Sequence, residues 1–137
     1  MAKKQVEWFR DTNFWEQYAP IMFDDAHWAE VSTVADAVIR LARFDLYNMP
    51  HAPSPSKAPR VLDLCCGIGR ISAELARRDC AVSGVDITGS FLETAREEAA
   101  LDKLTIEYIH ADAREFKRPD FFDLALNLYI SFGYFEK

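Results

Sequence analysis

The sequence predicts an α/β protein built on an open parallel sheet, and three observations carry that expectation. The apolar run Val61-Leu62-Asp63-Leu64 passes through the turn Cys65-Cys66-Gly67-Ile68-Gly69 into a helix-like stretch from Ile71 to Arg78. A second apolar run, Ala81 to Val85, closes on Asp86. From Arg60 onward strand-like and helix-like stretches alternate, the pattern of a parallel sheet joined by helical crossovers.

The elements follow in order. Residues 3 to 19 carry Trp8, Phe9, Phe14, Trp15 and Tyr18 and read as a short helix with a loop. Asp24 and Asp25 offer caps for one long helix, whose apolar positions Val31, Val34, Val38, Ile39, Ala42 and Leu46 follow helical spacing. His51 to Pro59 holds Pro53, Pro55 and Pro59 with two serines and reads as a connection. The expected organisation is therefore an N-terminal helical segment over 1–52, a linker over 53–59 and the sheet domain over 60–137. Thr88 to Leu101 reads as a helix with Ser90 and Glu93 spaced as a capping box. Its buried stripe would be Phe91 or Leu92, Ala95 and Ala99. Ile106 to Ala113 reads as a third strand and Phe122 to Leu128 as a fourth, apolar on parts of both faces.

Composition narrows the function classes. At 137 residues, half of them hydrophobic, the chain is long enough for one domain with a real core. No apolar run approaches the roughly 18 residues that span a bilayer. Met1 to Glu7 shows two lysines but no apolar signal-peptide core behind them. A cytoplasmic protein without a membrane partner is expected. The formal charge of −6, with no basic run, argues against a nucleic-acid partner. The three cysteines form no Cys-x-x-Cys pair, and no metal site is expected. Cys65 and Cys66 are adjacent, poor geometry for a bridge, and read as small residues filling a tight turn rather than as reactive thiols.

Chemistry concentrates at the glycine turn. Glycine permits φ > 0 and lets backbone approach a ligand closely. Asp86, at the end of the second strand, stands where a doubly wound sheet binds ribose hydroxyls.

The stretch 63–69 resembles motif I of the class I S-adenosylmethionine-dependent methyltransferases, an acid followed by alternating glycines. Asp63 fills the acidic place, Cys65 stands where the first glycine is common, and Gly67 and Gly69 fill the other two. A Cys-Cys-Gly version is similar to one branch of small-molecule methyltransferases. Val82 to Ile87, Ile106 to Ala113 and Phe122 to Leu128 resemble the family's next three strands, so the likeness covers about positions 60 to 135.

The resemblance implies a Rossmann-like parallel sheet of order 3-2-1-4 with helices on both faces, and S-adenosyl-L-methionine as cofactor across the strand ends. Asp63 would face the cofactor's methionine amino group, with Cys65, Cys66, Gly67 and Gly69 forming the loop. Asp86 would take the ribose, Asp112 the adenine, and Ile87 and Ala113 would flank its ring. Asn127 occupies a place used mostly through backbone carbonyls. Tyr18 would reach the methionine end from an N-terminal lid. The acceptor would be a small molecule, and no residue stands out as a catalytic base.

Plainer readings stand beside these. Asp63 could cap its turn, Asp86 could cap the next helix, and Asp112 is a common turn residue. Trp15, Tyr18, Phe23 and Trp28 read as core, His110 as a strand-surface residue, and His27 and His51 have no evident partner. Two other functions remain open. A nicotinamide (NAD-dependent) oxidoreductase shares the glycine loop, but Cys65 and Ser72 replace two of its fingerprint glycines. A non-catalytic adenosyl-ligand-binding fragment or scaffold is the other. The family's sheet has seven strands and this sequence reaches the fourth, so a truncated half-domain, inactive alone, is expected. Strand 4 would be an edge through which the chain forms a homo-oligomer.

Overall fold

The computed structural model describes residues 7–42, 58–129 and 131–134. Four strands form one sheet: β1 (Arg60–Leu64), β2 (Ala81–Asp86), β3 (Glu107–His110) and β4 (Leu124–Asn127). Their spatial order is β3-β2-β1-β4 and every pairing is parallel, as expected. Parallel neighbours need long crossovers. Two of these are helical: α4 (Arg70–Arg77) between β1 and β2, and α5 (Gly89–Leu101) between β2 and β3. Because all strands run one way, Leu64, Asp86, His110 and Asn127 end at the same edge. Whatever the following loops carry is gathered there.

Upstream lie a 3₁₀ turn (Trp8–Arg10) and three helices, α1 (Thr12–Met22), α2 (Asp25–Ala29) and α3 (Val31–Leu41). The helical periodicity of α3 buries Val31, Ala35 and Val38 against Ile71 and Leu75 of α4, over Val61, Val82 and Leu126 of the sheet. Arg78 fastens these two helices, donating to Ser32, Glu74 and Asp36. The stripe expected on α5 is buried as read: Phe91, Leu92, Ala95 and Ala99 are all inaccessible. Its Leu92, Ala95 and Ala99 pack on Tyr108. A third cluster joins Phe9 and Trp15 to Phe91, with Phe23, Ile68 and Tyr134 at its margin.

Several details differ from expectation. The long helix is divided at Glu30. In a continuous helix the His27 carbonyl would accept from the Val31 amide; here it accepts from Arg70 Nη1 at 2.6 Å, and the ladder breaks. Asp24 does cap α2, accepting from the His27 amide at 2.9 Å. His27 also has a partner, with Nδ1 2.7 Å from Asp24 Oδ1. Ser90 and Glu93 form no capping box, because α5 begins at Gly89, with Thr88 at its N-cap position, and Ser90 Oγ donates to Glu16 instead. Trp15 is core, whereas Tyr18 and Trp28 are nearly half exposed. Ala125 of β4 is exposed, so that strand is buried on one face only. His110 is exposed at the strand surface, with Nε2 2.8 Å from the Ile87 carbonyl. The linker at 53–59, apart from Ala58 and Pro59, lies outside the described residues, as do Leu46 and His51.

Leu92 has no exposed surface. Leu92→Ala should therefore cost about 2–5 kcal/mol through lost transfer energy and the cavity left behind. The urea midpoint of the variant against the parent measures it.

Candidate functional site

The loop after β1 takes its shape from three left-handed residues, Cys65 (φ +58°), Gly67 (φ +58°) and Gly69 (φ +77°). A residue with a Cβ costs roughly 1–2 kcal/mol in that conformation. The backbone at position 65 is thus what makes a glycine common there, and Cys65 tolerates the strain. The two glycines serve different ends. A Cβ on Gly67 would sit 3.0 Å from Phe23 Cζ, on the open side of the loop. A Cβ on Gly69 would collide with the Tyr108 hydroxyl and lie 3.1 Å from Ala95 Cβ. Gly69 therefore serves the packing of loop against α5 and β3 rather than a ligand.

Asp86 fixes the loop from the next strand. Its Oδ2 accepts from the Gly67 amide at 2.8 Å and its Oδ1 from the Thr88 amide at 2.8 Å. One buried carboxylate thus joins the glycine loop to the turn that starts α5. Asp63, inside β1, accepts from Ser72 Oγ at 2.6 Å across the start of α4.

Between these loops and the N-terminal helices lies a cavity of about 410 Å³, within the range of small-molecule sites. Asp63, Cys65, Cys66, Gly67 and Asp86 form its floor, and Ile87, Asp112 and Ala113 one end. Phe9, Trp15, Tyr18, Met22 and Phe23 roof it from the N-terminal segment. Gly69 and Asn127 stand outside this lining; the Asn127 amide reaches the Leu64 carbonyl at 3.5 Å. Asp112 reaches the cavity with its carboxylate already engaged. Arg114 Nη2 lies 2.7 Å and Arg10 Nη2 3.1 Å from its Oδ2. Arg114 also pairs with Glu7 at 2.9 Å. These contacts clasp the N-terminal segment to the loop after β3.

The acids differ in how readily they lose a proton, for physical reasons. Burial pushes the Asp63 carboxyl up to about 6, opposed in part by the Ser72 hydrogen bond. Burial also raises Asp86, against the Thr88 and Gly67 amides that favour its charged form. Arg114 holds Asp112 below the ordinary carboxylate range. Burial raises Cys65 to about 11 and Cys66 well above its usual value. Both thiols are protonated near neutral pH, which suits turn filling and not nucleophilic chemistry.

Sequence reasoning did not single out Phe9, Arg70, Phe91 or Tyr129, all of which line the cavity. Phe9 and Phe91 resemble ordinary core residues in a linear sequence. Arg70 directly follows the glycine loop, and that adjacency was the available signal. Among the described residues no group of three His, Cys, Asp or Glu side chains is placed to hold a metal ion. No described helix is long and apolar enough to cross a membrane.

A carboxyl whose pKa is higher folded than unfolded binds its proton more tightly in the folded chain. Asp63 therefore contributes stability that is full below about pH 4 and is lost as pH rises through about 6. Asp63→Asn, which removes the titration and keeps an acceptor for Ser72, should flatten that part of the decline. Denaturant unfolding of parent and variant at pH 4, 5, 6 and 7 reads it, and parallel curves would refute the assignment.

Comparison with known proteins agrees with this geometry. Residues 61–137, more than half of the chain, match a family described as a methyltransferase domain. The ubiquinone biosynthesis O-methyltransferase of Pelagibacter ubique (strain HTCC1062) is 31% identical over 84 residues, covering 61% of this chain and 35% of that protein. Its counterpart from Roseobacter denitrificans (strain ATCC 33942 / OCh 114) is 34% identical over 80 residues, covering 58% and 32%. The chain spans about a third of the length of these curated relatives. Among solved structures, the PH0226 protein of Pyrococcus horikoshii OT3 superimposes with a TM-score of 0.59 at 24% identity, covering 79% of this chain and 43% of that one. Magnesium protoporphyrin IX methyltransferase from Synechocystis PCC 6803 gives 0.58 at 19% identity, covering 85% and 59%. At such identities these structures speak for the fold alone. With the family match on the glycine loop and the 3-2-1-4 parallel sheet in register around it, this chain belongs to the methyltransferase domain family, with the Rossmann-like fold of the class I enzymes.

Proposed function

We propose that the chain forms the S-adenosylmethionine-binding part of a methyltransferase whose acceptor is a small molecule. The observation that carries this reading is the convergence of Asp63, Gly67 and Asp86 on one cavity roofed by aromatic side chains. The donor set suits an adenosyl amino acid. Asp86 lines the cavity with its carboxylate already facing the Gly67 and Thr88 amides, with the Thr88 hydroxyl and Ile87 amide also favouring its charged form, so ribose hydroxyls would share these acceptor oxygens. Ile87 and Ala113 provide apolar walls suited to a flat ring, with the Asp112 carboxylate beside them. Asp63, once ionised, is the acid on the floor that would meet an ammonium group.

When bound, such a cofactor supplies a sulfonium methyl group for in-line displacement. The chain's own residues bind and orient the reacting partners and keep water out. Phe9, Trp15 and Phe23 bring apolar surface over the loop, where excluding water favours a reaction that disperses charge. Tyr18, on the same roof, would approach the methionine end. No side chain is assigned as a general base. The nicotinamide reading is not favoured, because the matched family is a methyltransferase family. We also propose self-association through the outer edge of β4, which pairs with no further strand among the described residues.

Asp86→Asn keeps the side-chain shape and removes one anionic acceptor. It should weaken S-adenosylhomocysteine binding by about 1–3 kcal/mol, the scale of an unsatisfied buried polar group. Equal affinities of variant and parent by calorimetry would remove the ribose assignment. Sedimentation velocity tests the edge: concentration-dependent dimer supports it, and a monomer at all concentrations rules it out.

A further inference from the structure

The geometry points to Arg70 as the receptor for a ligand carboxylate at the Tyr129 end of the cavity, an inference that rests on the adenosyl-ligand reading above. Arg70 is only 6% exposed and lines the cavity. Its guanidinium lies 5.2 Å from the Phe23 ring centroid, 5.5 Å from that of Tyr129 and 5.8 Å from that of Trp28. Its Nη1 donates to the His27 carbonyl at 2.6 Å.

Arg70 also reaches the Tyr129 hydroxyl, which donates to Glu30 at 3.1 Å. The carbonyl, the hydroxyl and three rings hold the cation in place, but none of these direct partners carries a negative charge. Among the described residues Arg70 forms no ion pair. The arginines that do pair with carboxylates (Arg10, Arg60, Arg77, Arg78, Arg114 and Arg118) all have side chains at least 22% exposed. Of the described arginines without an acid partner, Arg40 and Arg96 are exposed and Arg70 alone is buried. Charges buried to this degree are ordinarily paired.

Position adds to the imbalance. Arg70 is the first residue of α4, where the helix's own partial charge is positive and a cation is unfavourable. No acidic residue occupies the first turn to offset it. A single ligand anion would relieve both, and the planar fork of arginine matches a carboxylate. The acid could belong to the amino-acid end of the methyl donor or to an acidic acceptor lying against the same rings. The chemistry is shared, and the ligands chosen for the test separate the sources.

Calorimetry on the full chain would compare S-adenosylmethionine with its decarboxylated form, which lacks only that group, in the parent, Arg70→Met and Arg70→Lys. If the donor supplies the anion, the parent prefers the carboxylate-bearing ligand at least tenfold. Arg70→Met then brings the ratio of the two affinities to about one, whatever it does to both, and Arg70→Lys keeps part of the preference. If the acceptor supplies it, the two donors bind the parent alike. Benzoate then binds the S-adenosylhomocysteine-loaded parent and not the loaded Arg70→Met. A preference that survives Arg70→Met, or a parent with neither preference nor benzoate binding, overturns the proposal. The parent measurements and Arg70→Lys decide the matter should Arg70→Met not fold. 5′-Methylthioadenosine, which lacks the amino-acid end, serves as control. Its failure to bind the parent would sink the adenosyl reading itself, and the Arg70 assignment with it. If it binds the parent while neither the carboxylate preference nor benzoate binding depends on Arg70, only the Arg70 assignment falls.

Discussion

The buried carboxylate of Asp86 is the contact on which the rest of the site depends. It accepts from the Gly67 and Thr88 amides at once, and so fixes the glycine loop against the turn into α5. The cavity floor is continuous because these two loops are held by one group. Strand register places Asp86 where it can do this: β2 pairs with β1 over five positions, and Asp86 lies one residue beyond the Leu64–Val85 pair. A one-residue slip would turn its side chain to the other face of the sheet.

Over that floor the N-terminal segment is fastened at several points. The Arg10 and Arg114 contacts with Asp112 and Glu7 tie it to the loop after β3. Ser90 donates to Glu16 at 2.7 Å, joining α5 to α1. Trp15 Nε1 donates to the Phe9 carbonyl at 2.7 Å, which satisfies the indole inside an apolar cluster. Exposed ion pairs of this kind are individually weak. The roof is therefore held chiefly by its buried aromatics, with the charged clasp fixing its orientation.

Arg70 links that roof to the helix beneath. By taking the His27 carbonyl it ends α2, divides what would be one helix, and places Phe23 and Trp28 against its own guanidinium. Local helical propensity on either side of Glu30 favours continuity. The tertiary hydrogen bond to a charged donor overrides it.

Much of this was legible in the amino-acid order alone. Alternating apolar runs and helical stripes determined the α/β class, the parallel sheet and the buried face of α5, because periodicity depends only on neighbours along the chain. The acid–glycine spacing of 63–69 and the acid 23 residues after Asp63 marked the floor of the cavity for the same reason. The division at Glu30, the engagement of Asp112 by two arginines, the packing role of Gly69 and the isolation of Arg70 were not legible. Apart from the local Arg114–Asp112 contact, these rest on residues far apart in sequence, 102 positions for Arg10 and Asp112. Hydrogen bonds, ion pairs and desolvation act on distance in space, and only the folded chain sets those distances.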